Sequence, residues 1–329
     1  MPHNRPAVAR SSGPEPTPGD RAELSRAAGA PVIRAERAAW GFSNRTDLVT
    51  TADGRRLVIQ RYHRRRDAEH RLSAMRQLAP LLAERDIRIP TIVATSLDAQ
   101  PPSATFEVLP GEPLPVLLGF DLTGSDFPVI AAEMGRLLAQ LASTPTHGVH
   151  LPRLWANPTR LAARASAWLE VIAADLPSAE TAVLHRLILE LPDLFEARPG
   201  VVAHGDFGPA NVLVADGRIS GLLDWEFARL ADPLFDVAWW GWLVRFHHPD
   251  VLGAAWPAFL SARGFDGGDP LVAARIFSLQ ALRVLEVVND APARGAGVRD
   301  DWIRRLSTTL AWAPWTEWAR RCVSSARRR

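Results

Sequence analysis

The chain has 329 residues, 47% of them hydrophobic and 22% charged, which is the balance of an ordinary globular protein with one large domain or two moderate ones. Its formal net charge of +2 and its short Arg runs, RYHRRR at 61–66 and RRR at 327–329, exclude the concentrated basic face of a nucleic-acid binder. No apolar run reaches the length of a membrane span, the start MPHNRPAVARSSGPEPTPGDRAEL lacks the apolar stretch of a secretory signal, and the single cysteine, Cys322, excludes an internal disulfide framework and fits a reducing cytoplasm.

Residues 1–30 are rich in Pro, Gly, Ser and Arg without apolar periodicity and are expected to form a disordered arm. From Pro31 two β-type runs, DLVTT and RLVIQRY, flank ADGR, an Asp-Gly hairpin signal. DAEHRLSAMRQLAPLLAERDI places Leu72, Met75, Leu78, Leu81 and Leu82 at helical spacing, and IPTIVAT and ATFEVLP read as strands. Residues 31–110 are therefore expected to be a small β-rich unit with one helix. Residues 111–329 read as mainly helical, from VIAAEMGRLLAQLA through LAARASAWLEVIAADL and TAVLHRLILELPDLF to DVAWWGWLVRF, VLGAAWPAFLSA, LVAARIFSLQALRVLEVV and DDWIRRLSTTLAWA. One segment, 201–227, interrupts the helices. There VVA, HGDFGPANVL and ISGLLDWEFA read as strand, loop and strand, with a turn at Asp216–Gly217.

The interruption carries the chemistry. A loop between two apolar runs presents Asp206 and Asn211, and Asp224 ends the next strand in a hairpin arrangement. Two carboxylates and an amide oxygen form a hard oxygen-rich site that suits Mg²⁺, with a further group left to accept a proton from a hydroxyl. Those are the requirements of phosphoryl transfer. A polar turn with capping Asp and Asn is the plainer explanation of the same residues. It does not explain why DWE follows the Val of NVL after twelve residues, with DPLFD next in order.

His204, Asp206 and Asn211 fit HxDxxxxN, and the segment resembles the catalytic loop of the aminoglycoside phosphotransferase and choline kinase-like superfamily, relatives of the protein kinases. The resemblance implies an α+β, bilobal protein-kinase-like fold, with a small β-rich N-lobe that binds nucleotide and a large, mainly helical C-lobe that carries the catalytic loop and the acceptor site. It implies Asp206 as catalytic base, Asn211 and Asp224 as Mg²⁺ ligands, and His204 and Asp236 as supports of the loop. In the N-lobe, WGFSNRTDLV resembles the phosphate-covering segment, with Gly41, Ser43 and Asn44 as candidates, and FEVLPGEPL resembles the hinge, with backbone groups of Val108 and Leu109 at the adenine edge.

The chain departs from the kinase pattern on its third strand. It contains no lysine, so the position that meets the donor phosphates falls on Gln60 or Arg61, depending on register, and neighbours on a strand face opposite ways. Glu69 is the best match for the carboxylate that orients this residue; an exposed Arg61–Glu69 pair is the plain alternative. For the acceptor, Glu226, Asp232, Glu286 and Asp290 are candidates for an acidic lining, with Asp300 and Asp301 nearby, against the alternative of a solvated helix face. The clustered Trp residues read first as core. The expected activity is ATP- or GTP-dependent O-phosphorylation of a small-molecule alcohol. An antibiotic is the leading acceptor that the family resemblance implies, and the Ala- and Arg-rich, lysine-free composition, which suggests a GC-rich gene of the kind found in antibiotic-producing bacteria, agrees with it. A metabolite kinase (for a sugar, choline, homoserine or amino sugar) and a nucleotide-binding pseudokinase are the alternatives. The protein is expected to be a monomer or homodimer with neither nucleic-acid nor membrane partners.

Overall fold

The computed structural model describes residues 17–38, 44–114, 126–195, 198–291 and 297–312. Gly41, Ser43 and Cys322 lie outside them. The chain divides into two compact units, 1–125 with 209–227 and 126–208 with 228–329. This division differs from the expected one at residue 110: the first unit runs on to 125 and takes back the segment after the HGDFG loop.

The first unit is built on a five-stranded antiparallel sheet in the order β1-β2-β3-β5-β4, from β1 (Val32–Arg37), β2 (Arg45–Thr51), β3 (Arg56–Arg61), β4 (Ile92–Ser96) and β5 (Ser103–Glu107). The β2–β3 hairpin turns at Asp53–Gly54, where Gly54 takes a φ of +84°. Period-two alternation gives the sheet two different faces. Leu57 and Ile59 of β3 and Val49 of β2 pack in one cluster with Leu24 and Ala28. Val58 and Gln60 point to the other side, across from Phe106 and Ala104 of β5.

Leu24 and Ala28 belong to α1 (Pro18–Ala28), which corrects the expectation of a disordered arm for this part of 1–30; residues 1–16 of that arm lie outside the described residues. The helix starts at a capping box, in which the Thr17 side chain accepts from the Asp20 backbone and Asp20 reaches back to Thr17. Pro18 stands at its first turn and Gly29 closes it in the left-handed region. So few of its residues are apolar that hydrophobic periodicity is weak, and its docking rests on Leu24, Ala28 and charged pairs. Asp20 accepts from Arg45 at 2.6 Å and from Arg61 at 3.2 Å.

Helix α2 (Arg65–Ala83) leaves β3 and buries Ala68, Arg71, Leu72, Ala74, Met75, Leu78 and Leu82. A second, three-stranded sheet in the order β6-β8-β9 comprises β6 (Glu112–Pro113), β8 (Val212–Ala215) and β9 (Arg218–Leu222). Asp216 and Gly217 link β8 to β9 at positive φ, +50° and +74°, the turn geometry that matches strand twist.

The second unit is mainly helical: α3 (Phe127–Ala142), α4 (Pro158–Ile172), α5 (Ser178–Leu194), α6 (Phe235–His247), α7 (Pro249–Arg263), α8 (Pro270–Asp290) and α9 (Val298–Leu310). A two-stranded antiparallel ribbon of β7 (Val201–Ala203) and β10 (Arg229–Ala231) holds the ends of the loop region. Helix α6 is buried on nearly every side, Trp240 and Trp242 fully, as its Trp-rich sequence suggests. Helices α3 and α7 approach so closely that a Cβ on Gly135 would meet the Phe259 carbonyl at 2.4 Å. The elements thus form a β-sheet N-terminal region and a mostly helical C-terminal part, the expected α+β class.

Candidate functional site

Residues 204–208 leave β7 in the second unit. The turn needs a positive φ at Gly205, +87°, a backbone that glycine adopts freely. The backbone N–H groups of His204 and Gly205 both donate to the Asp236 carboxylate, at 2.7 and 2.9 Å. Asp236 is buried on the first turn of α6, and burial pushes its carboxyl above the usual Asp value against the pull of His204 and those two N–H bonds. The Arg283 guanidinium reaches the Gly205 carbonyl at 3.4 Å. Asp206 is half-buried, and its Oδ1 accepts from Trp239 Nε1 at 2.7 Å. Its backbone N–H donates to His204 Nδ1 at 3.3 Å. Trp239 stacks on Trp242 at 4.8 Å, and the Arg283 guanidinium lies 5.3 Å from the Trp239 ring centre. Asp206 therefore sits on a loop fixed at backbone and side chain alike. Trp239 reads from sequence as core; its indole N–H makes it a clamp as well.

The chain passes into the first unit at Pro209. Val212 pairs with Leu222, and the Leu223 N–H donates to the Asn211 carbonyl at 2.8 Å, so Asn211 and Asp224 are brought together at one end of this ladder. Asp224 takes a left-handed φ of +66°, a conformation uncommon outside glycine but tolerated by Asp. Trp225 beside it is fully buried, with its indole N–H on the Leu222 carbonyl at 3.1 Å. Glu226 Oε2 accepts from the Asn44 side chain at 3.3 Å. Asp224 Oδ1 accepts from Arg71 Nη1 at 2.7 Å, and the Asp224 side chain stays 38% exposed.

Among the described residues no three His, Cys, Asp or Glu side chains converge as a metal cage. One carboxylate with an exposed edge, on a stretch whose backbone meets that of Asn211, fits Mg²⁺, which keeps waters and takes other ligands from phosphates. Zinc, with its need for four protein or water donors in a closed set, fits poorly.

Several expectations are corrected here. Arg61 shares the face of Leu57 and Ile59, so its guanidinium turns to the α1 side of the sheet, where it bonds Asp47 of β2 and Asp20 and Glu23 of α1. Gln60 faces the opposite side, donating to Thr46 Oγ1 at 3.4 Å and accepting from Tyr62 Oη at 3.0 Å. Glu69 lies on the exposed face of α2 and pairs with Arg65 one turn earlier at 2.7 Å. It orients nothing on β3, because helix phase turns Arg71, two residues on, to the inside instead. Val108 and Leu109 lie just past the end of β5, beyond its ladder.

Of the candidates for an acidic lining, Glu286 and Asp232 of the second unit are already engaged by arginines. Glu286 bonds Arg283 and accepts from Arg229 at 3.2 Å and from Trp155 Nε1 at 3.2 Å. Burial pushes Glu286 up, but the two guanidiniums outweigh it and hold the carboxyl below its usual value. Asp232 is bound by Arg198 at 2.6 and 2.8 Å and caps the Leu234 N–H at 2.8 Å; burial still pushes it up. Asp290 is exposed at the end of α8, Asp300 and Asp301 lie in the first turn of α9, and Asp301 pairs with Arg304. Glu226 belongs to the first unit. An apolar cavity of about 400 Å³ in the second unit is lined by Leu252, Trp256, Ile276 and Phe277 among others, and none of its lining belongs to 204–208.

The profile of the phosphotransferase enzyme family matches residues 34–271, well over half the chain. The chain belongs to that family. Hygromycin-B 4-O-kinase from Escherichia coli is 30% identical over 100 residues, a match covering 26% of this chain and 29% of that relative's length. Among solved structures, wild-type aminoglycoside 2'-phosphotransferase-IIIa in complex with GDP superposes with a TM-score of 0.70 at 17% identity, over 89% of this chain and 99% of that one. Macrolide 2'-phosphotransferase MphH from Brachybacterium faecium gives 0.64 at 20% identity, over 86% and 96%. A ternary complex of aminoglycoside phosphotransferase APH(4)-Ia with ADP and hygromycin B gives 0.66 at 18%, over 88% and 97%. At such identities these likenesses establish the fold, the protein-kinase-like one that the family shares. Among the described residues, no helix is long and apolar enough to cross a membrane.

Proposed function

We propose that this member of the phosphotransferase family transfers the γ-phosphoryl group of ATP or GTP to a hydroxyl of a small molecule, an antibiotic before a cellular metabolite. The observation that carries the reading is Asp206 on its doubly anchored loop: Asp236 holds the backbone and Trp239 holds one carboxylate oxygen. A base needs a fixed position within hydrogen-bond reach of the hydroxyl it deprotonates. Asp206 is that base. It orients the acceptor hydroxyl in line with the donor phosphorus and takes its proton as the new O–P bond forms and the bond from the γ-phosphorus to the bridging oxygen breaks, releasing the nucleoside diphosphate. Asn211 and Asp224 are the ligands for Mg²⁺, which, when bound, offsets the charge of the β- and γ-phosphates. His204 and Asp236 keep the loop in shape. Val108 and Leu109, past the β5 ladder, offer backbone groups to the nucleobase. Antibiotics rank first because hygromycin B, aminoglycosides and macrolides name the relatives found.

Mass spectrometry tests this directly. The protein is incubated with Mg-ATP or Mg-GTP and a panel of aminoglycosides, macrolides, hygromycin B, sugars, choline and homoserine. The expected result is a one-phosphoryl mass gain on a member of the panel, absent with Asp206→Asn. Equal gain with Asp206→Asn removes Asp206 from its role, and a wild-type protein that binds no nucleotide removes the kinase reading altogether.

A further inference from the structure

A nucleoside triphosphate brings several negative charges, and a kinase-type site meets them with the metal and a side-chain cation. In this chain the end of the third strand where the kinase lysine position falls supplies none. Gln60 faces the α2 side of the sheet uncharged, and Arg61, on the other side, is engaged by Asp47, Asp20 and Glu23. The α2 side nevertheless holds a cation. Arg71 is buried, and its guanidinium carbon lies 5.8 Å from the ring centre of Phe106, the β5 residue that pairs with Val58, two residues before Gln60. Tyr62, which hydrogen-bonds Gln60, feels the Arg71 charge.

The pairing of Arg71 is incomplete. A guanidinium is a fork of several N–H donors. Here Nη1 bonds Asp224, and Nε is buried without a partner. Burying a charged donor set with one hydrogen bond is expensive unless an anion completes it. The carboxylate it bonds is Asp224, the candidate metal ligand at the end of β9, with the Glu226 charge also acting on it, so the fork already stands where metal and phosphate would meet. Guanidinium geometry matches phosphate oxygens in a paired, planar way that an ammonium cannot.

We propose that Arg71 is the donor-phosphate cation of this protein, held by Asp224 against Phe106 and reaching the nucleotide phosphates from α2 in place of a lysine on β3. The inference rests on the phosphotransferase reading. It explains how a lysine-free chain, with Gln60 on the site face of β3, retains a positive charge beside Asp224. The carboxylate expected on α2 is unnecessary, since Arg71 is oriented by Asp224 itself.

The test is calorimetric binding of Mg-ATP and of adenosine to the full chain, as wild type, Arg71→Met and Arg71→Lys, with no turnover needed. Arg71→Met is expected to weaken ATP about tenfold or more while adenosine changes less than about twofold. Arg71→Lys keeps the charge without the fork and is expected to weaken ATP about threefold or more, again sparing adenosine. An ATP-to-adenosine affinity ratio equal to wild type in a folded variant overturns the proposal. If Arg71→Met does not fold, Arg71→Lys decides by the same ratio. A wild-type protein that binds neither ATP nor adenosine overturns the kinase reading, and this inference with it.

Discussion

Two buried arginine–carboxylate clusters, one in each unit, are built in opposite ways. In the second unit Glu286 is saturated: Arg229, Arg283 and the Trp155 indole N–H all close on it, well inside the helices. In the first unit Asp224 has a single Arg71 bond, a left-handed backbone and an exposed edge. A saturated cluster stabilises a scaffold and offers nothing to a ligand. An unsaturated one holds back donors and acceptors that a ligand can complete. The acidic residues that look alike in sequence therefore divide between structure and site by what already surrounds them.

The sharpest way to break this contrast is to remove the charge of each carboxylate while keeping its shape. Glu286→Gln leaves two buried guanidiniums without their counter-charge and is expected to cost about 3–5 kcal/mol of stability, read from chemical denaturation. Asp224→Asn takes the counter-charge from one buried guanidinium, Arg71, at a carboxylate with an exposed edge; it is expected to cost less than Glu286→Gln, about 1–3 kcal/mol, and to abolish Mg-dependent phosphoryl transfer. Equal stability losses in the two variants would erase the distinction. Next in size is Asp236→Ala, which strands the His204 and Gly205 N–H groups. A loss of about 2 kcal/mol or more is expected in the same denaturation, with turnover reduced in the protein that remains folded.

A pH titration sharpens the picture of the first unit. Tyr62 is the sole tyrosine of the chain, and burial pushes its phenol from 10.0 up to about 12, with Asp224 and Glu226 adding to the rise and Arg71 opposing it. The unfolded chain releases the Tyr62 proton at its ordinary value while the folded chain retains it. Stability is therefore expected to fall as pH rises from 10 towards 12. Tyrosinate absorbance should stay low in the folded protein through this range and appear on unfolding. The smallest effect belongs to Glu69→Ala. Its pair with Arg65 is solvent-exposed, so a change within about 0.5 kcal/mol is expected, together with unaltered ATP affinity. Loss of ATP affinity there would return to Glu69 the role that the geometry assigns elsewhere.

Although β1, β6 and β10 are not singled out by the sequence, strands β2 to β5 and β7 to β9, the Asp-Gly hairpin turns, the main helices and the order HGDFGPANVL, DWE, DPLFD are legible in it. Each is written in neighbouring residues, through period-two or helical spacing, Asp-Gly turns and a short polar loop between apolar runs. Helix α1 escapes that reading because two buried residues and a capping box hold it, with few apolar residues to mark a stripe. Trp239 passes for plain core because an indole N–H directed at Asp206 leaves no trace in composition.

Charge pairing lies beyond such local signals. Arg71 meets Asp224 across 153 positions, Arg229 meets Glu286 across 57, and Arg61 meets Asp20 across 41. In a chain whose basic residues are all arginine, every carboxylate has many equivalent partners on paper. The local pattern was enough to name the loop, its aspartates and the reaction class they resemble. Which arginine reaches which carboxylate, and so whether Gln60, Arg61, Glu69 or Arg71 faces Asp224, depended on strand alternation and helix phase acting together in space, because a buried charge is satisfied by proximity after folding and not by spacing along the chain.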